Sequence, residues 1–106
     1  MKKVNESGMT PGSIQGAKGM VDVYDVVQGA LTAGVRIVRP YSDVPTRPHI
    51  HQERQVIYVI SGNGKITDGQ ETIDLKPGDF VLLDANEEHY VITESAELKV
   101  FEVKYP

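Results

Sequence analysis

An all-β sandwich or barrel is the fold class this sequence predicts, and three observations carry it. Short β-branched runs recur along the chain, clusters of Gly, Pro, Asn and Asp separate them, and no segment holds a helical period for about 10 to 12 residues.

The elements follow in order. Residues 1–20 scatter Gly8, Pro11-Gly12, Gly16 and Gly19 among polar neighbours, which reads as a flexible lead-in or an edge strand. Residues 21–106 then form the barrel domain. Val21-Asp22-Val23-Tyr24-Asp25-Val26-Val27 and Val35-Arg36-Ile37-Val38 are strands by composition and partial alternation. Pro40, Pro45 and Pro48 bracket a loop that delivers the chain, extended, into His49. Gln55 to Ser61 is a strand closed by Gly62-Asn63-Gly64. Asp68-Gly69, set between Gly64–Thr67 and Glu71–Leu75, is the strongest hairpin signal in the chain. Pro77-Gly78-Asp79 turns the chain into Phe80–Leu83, and Asp84 to Glu88 turns it again before His89–Thr93. Leu98 to Val103 is the last strand.

Composition narrows the function. A chain of 106 residues with 40% apolar content fits one domain with one core. Cysteine is absent, so thiolate chemistry, disulfides and cysteine zinc clusters drop out, and any metal must take nitrogen or oxygen ligands. The net charge of −4 comes with no basic stripe, so nucleic acid is not an expected partner. No run approaches the ~20 apolar residues of a membrane-spanning helix, and no apolar run follows Lys2-Lys3, which makes a cytoplasmic location the expectation.

The chemistry-bearing residues are few. His49 and His51 stand two apart, so on an extended backbone both rings leave one face with Cα atoms roughly 6.5 to 7 Å apart. Gln55 shares their parity, Ile57 and Val59 continue that face inward, and His89 opens a later strand. Any one of these is a weak signal. Together they place every histidine of the chain in a single spacing pattern with specific glycines.

That pattern resembles the cupin superfamily. Its first motif, His-Xaa-His, three or four residues, Glu, six residues, Gly, becomes His49-Ile50-His51, three residues, Gln55, six residues, Gly62. The second motif maps onto Gly78, Asp84-Ala85-Asn86, His89 and Thr93, where only Gly78 and His89 match by identity. Asn86 stands in a Gly position, which Asn tolerates because it visits left-handed backbone readily. Asp43 replaces the leading Gly of motif one. The resemblance spans roughly residues 34 to 103 and implies a small jelly-roll (cupin) β-barrel, a double-stranded β-helix. It also implies one divalent transition metal (Fe, Mn, Ni, Cu or Zn) held by His49, His51, His89 and Gln55 in the usual Glu position. A homodimer is a class expectation.

Gln55 in place of a carboxylate removes one negative charge beside the ion, which favours an anionic ligand. The substitution is also similar to a subset of small cupins that process unsaturated uronic sugars. The chain departs from those at Lys99-Val100-Phe101 and Glu102-Val103-Lys104-Tyr105, where their acid and arginine are missing. The leading functional expectation is a metal-dependent enzyme acting on a small oxygenated anion, sugar-derived in one version, by Lewis-acid lyase, isomerase or hydrolytic chemistry. A metal-dependent dioxygenase and a non-catalytic binding or structural cupin are the alternatives. Ile57, Lys99 and Phe101 are the expected ligand contacts, with Lys99 and Phe101 sharing one parity; the opposite register puts Leu98 and Val100 inside. Glu53 is read as a solvated residue with a lesser chance of acid–base work, Tyr58 as an outer-face residue, and at most one of Arg36 and Arg39 as facing the pocket.

Overall fold

In the computed structural model, which describes residues 1–106, ten strands form two antiparallel sheets. They are β1 (Gly12–Gln15), β2 (Met20–Gln28), β3 (Thr32–Val38), β4 (Asp43–Val44), β5 (Arg54–Gly62), β6 (Gly64–Thr67), β7 (Thr72–Leu75), β8 (Phe80–Leu83), β9 (Tyr90–Ile92) and β10 (Leu98–Tyr105). The larger sheet runs β1-β2-β3-β10-β5-β8 and the smaller β4-β9-β6-β7. One 3-10 turn, Glu6–Gly8, precedes β1, capped by the Asn5 side chain accepting from the Ser7 N–H. No helix is long and apolar enough to cross a membrane.

Every strand expected from the sequence is present, with two corrections. The proline-bracketed stretch read as loop contains β4, which pairs with β9, and His89 sits one residue ahead of β9 rather than inside it. In the lead-in, Gly12–Gln15 pairs with β2 as the edge strand β1.

Period-two alternation turns one set of side chains between the sheets. Val21, Val38, Val44, Ile57, Val59, Ile66, Leu75, Leu98 and Val100 form the core, and only 18 of 106 residues are buried. So small a core makes an added ion or partner a sizeable share of stability. Two motif positions are explained by their backbone. Gly62 has φ +83°, and a Cβ there would strike the Glu97 carbonyl; Asn86 has φ +62°, the left-handed conformation expected of it.

The register of β10 corrects the sequence reading. Leu98, Val100 and Glu102 point inward, whereas Lys99 and Phe101 face out. Phe101 pairs across the outer face with Val35 and Tyr58, and Lys99 binds Glu6 at 2.5 Å. Both parities of this strand carry apolar side chains, so alternation alone does not choose between them. The choice is made by partners: Leu98 and Val100 join the core with Ile57 and Val59, and Glu102 is satisfied inside by Arg36 and Gln55.

Candidate metal centre

Two separate segments deliver the three histidines. His49 and His51 lie in the extended stretch after Pro48 and ahead of β5, and His89 lies at the entry to β9. Their ring centroids are 5.1 to 5.4 Å apart, and one nitrogen from each falls within 4.8 Å of the others. Nitrogens sharing an ion at ~2.1 Å stand roughly 3.0 to 3.5 Å apart, so closing the triangle needs shifts of about 1 Å or less per ring.

The hydrogen bonds define which nitrogens are free. His51 Nδ1 lies 2.9 Å from the Glu53 carbonyl and His89 Nδ1 lies 3.0 Å from the Glu87 carbonyl. A carbonyl only accepts, so both Nδ1 atoms carry the proton and each neutral ring turns an Nε2 lone pair toward the centre. This carbonyl-anchored tautomer is the arrangement a metal-binding imidazole needs.

Gln55, 2% exposed on β5, lies beside the histidine cluster. Its Nε2 donates to the buried Glu102 carboxylate, which fixes the amide so that Oε1 faces His51 Nε2 at 3.0 Å. Two acceptors then oppose each other, and a cation between them resolves the conflict. About 3.0 Å is also the separation of neighbouring ligands on a six-coordinate ion with ~2.1 Å bonds. The donor set therefore fits a first-row transition metal.

Behind Gln55 runs a buried polar chain. Glu102 meets Arg36 Nε at 3.2 Å, and Arg36 Nη1 meets Asp25 at 2.6 Å. Sequence reading missed Glu102 because it left the register of β10 open and drew its ligand contacts from the Lys99 and Phe101 parity, and it left Arg36 undecided against Arg39. Arg39 binds Asp22 on the surface instead. Glu53 is exposed, its carboxylate 3.5 Å from His51 Nδ1, and Tyr58 stacks on Phe80 on the outer face at 4.7 Å between ring centroids.

Burial drives His49 down to about 4, helped by the nearby His89, His51 and Lys104, and burial also lowers His89, in part opposed by the Glu87 carbonyl. Near neutral pH both rings are held in the uncharged, ligating form. The centre opens onto a cavity of about 90 Å³ whose apolar wall includes Val38, Ile57, Leu98 and Val100, with His49, Gln55, His89, Glu102, Arg36 and Lys104 as its polar part. Of the expected ligand contacts, Ile57 lines this cavity; Lys99 and Phe101 do not.

The class defined by this fold and site is a small jelly-roll barrel with a three-histidine candidate metal centre inside it. A family model described as "Cupin domain" matches residues 36–104. The chain belongs to the cupin family. Among curated relatives, L-ectoine synthase of Aliivibrio fischeri is 38% identical over 52 residues, taking in 48% of this chain and 41% of the relative. L-ectoine synthase of Vibrio campbellii is 41% identical over 49 residues, 43% of this chain and 38% of the relative. The matched part is thus less than half of either relative's length. Among solved structures, a predicted oxalate decarboxylase from Thermotoga maritima superposes with TM-score 0.83 at 22% identity over 98% of both chains. The polyketide cyclase RemF from Streptomyces resistomycificus gives 0.78 at 21% identity, over 98% of this chain and 78% of that one. At these identities the structural likeness speaks for the fold.

Proposed function

We propose that this chain is a metal-dependent enzyme that binds a small oxygen-rich anion at a centre formed by His49, His51, Gln55 and His89. The observation that carries this reading is the neutrality of the donor set. Three imidazoles and one amide bring no negative charge, and the buried carboxylate beside them, Glu102, is engaged by the Gln55 amide and by Arg36. One unit charge at about 4 Å is worth about 4 kcal/mol at an effective dielectric near 20, before desolvation, so an incoming anion is strongly favoured.

When bound, a divalent iron, manganese, nickel, copper or zinc ion supplies Lewis acidity toward a ligand oxygen, which suits lyase, isomerase or hydrolytic chemistry. The chain's own residues do the rest. The Glu53 and Glu87 carbonyls hold two rings in orientation, Glu102 holds the amide, and the apolar wall keeps water from one side of the ligand. The cavity, about 90 Å³, suits a ligand body of a few carbons, so a sugar-derived acid would extend through its mouth. Partial likeness to a synthase supports an enzymatic role. The small core favours a second reading, in which the ion chiefly holds the barrel together.

The same proposal includes a homodimer formed through the outer face of the larger sheet. Tyr24, Val35, Phe101, Tyr58 and Phe80 lie in one register row across five strands, about 20 Å long at the usual strand spacing. With Leu82 72% and Phe80 65% exposed, this is a broad apolar surface to leave in water, and its pairing with a second copy would cover it.

Titrating the cobalt(II)-loaded protein with oxalate tests the anion site. A saturable change in the visible cobalt bands is expected; bands indifferent to oxalate would overturn it.

A further inference from the structure

We infer that Lys104 is the specificity-determining cation of this site, holding the carboxylate of a small acid whose neighbouring oxygen function faces the histidine centre. The inference rests on the anion-binding reading above and names the ligand class: 2-oxo acids, 2-hydroxy acids and short dicarboxylates.

Register supplies the first observation. Lys104 is the direct partner of Gln55 across β10 and β5, which sets their Cα atoms about 4.5 to 5.5 Å apart. It shares the inward parity of Glu102 and lies half-buried in the wall of the histidine cavity. It also lines the larger, polar depression of about 460 Å³ on the outside, together with Ile14 and Arg36. Lys104 therefore borders both the cavity at the histidine centre and the outer depression.

Its charge is the second observation. Lys65 and Lys99 are paired with Asp74 and Glu6, but Lys104 has no carboxylate within salt-bridge reach. Glu102, two residues away on the same face, is already engaged by Gln55 and by Arg36, which is in turn shared with Asp25. Lys104 lines the same cavity as His49 and His89. A cation left unpaired beside a cluster of neutral donors selects for negative charge on whatever enters.

A ligand with one carboxylate and an adjacent oxygen satisfies both ends of this arrangement. A monofunctional apolar acid satisfies only one, and a neutral molecule neither. A long lysine that serves merely as a solvated rim residue would not discriminate among them.

The test is oxalate binding to cobalt(II)-loaded wild type, Lys104→Met, Lys104→Arg and, as a control for general charge, Lys76→Met at an exposed turn. Lys104→Met is expected to keep its cobalt and to bind oxalate about tenfold more weakly or worse, with Lys104→Arg within about threefold of wild type and Lys76→Met unchanged. Oxalate affinity within about threefold of wild type in cobalt-loaded Lys104→Met would overturn the inference. So would loss of cobalt from that variant, which would make Lys104 a structural residue. Failure of wild type to take up cobalt at all would instead bring down the metal-centre reading on which this one stands.

Discussion

His51 Nε2 and Gln55 Oε1 face each other at 3.0 Å as two acceptors, because the Glu53 carbonyl takes the ring's proton at Nδ1 and Glu102 takes the amide's N–H. That opposition is local and specific. Restoring the carboxylate that cupins usually place at this position, Gln55→Glu, sets it directly against Glu102 in a buried site. Without metal, urea unfolding should show a loss of about 1 to 3 kcal/mol. Added cobalt should restore much of it, and oxalate should bind the loaded variant more weakly than wild type.

Arg36 is the only cation in contact with both Asp25 and Glu102, all three side chains being 12% exposed or less. Arg36→Met leaves two buried carboxylates without their counter-charge. Chemical denaturation should register a loss of about 3 to 5 kcal/mol. Arg39→Met, which frees only a surface pair with Asp22, should cost about 1 kcal/mol or less.

The depressed histidines fix the sign of a pH effect. His49 is held near 4 when folded and has its ordinary value of 6.5 when unfolded, so between those values the unfolded chain binds more protons. Stability of the metal-free protein is therefore complete above about pH 6.5 and declines as pH falls toward 4, with His89 acting in the same direction. Thermal midpoints measured from pH 7.5 to 4 should fall in the wild type and fall less in His49→Phe.

The apolar row on the outer sheet face predicts an oligomer. Light scattering should give twice the chain mass, and Leu82→Glu with Phe80→Glu should give a folded monomer with its cobalt stoichiometry intact. A monomeric wild type would remove the second copy from the account.

Much of this was legible in the sequence because turn chemistry and histidine spacing are local. Asp68-Gly69, Gly62 and the pair His49 and His51 announce themselves within a few residues, and the left-handed Asn86 follows from its place in the motif. The inner wall contributed by β10 was not legible. Leu98 and Val100 compete with Phe101 and Val103 for the inside, and the decision rests on Arg36, 66 positions before Glu102, and on Gln55. Strand parity is a long-range property, and one misplaced strand exchanged Glu102 and Lys104 for Lys99 and Phe101. The extra strand β4 escaped notice because two residues between prolines carry no periodicity.

The most direct measurement is metal stoichiometry by elemental analysis of tag-free protein loaded with one divalent metal and freed of excess, for wild type and for His89→Ala. The account predicts close to one ion per chain in wild type and near zero in His89→Ala while the variant remains folded. Equal metal content in the two, or none in wild type, would contradict it.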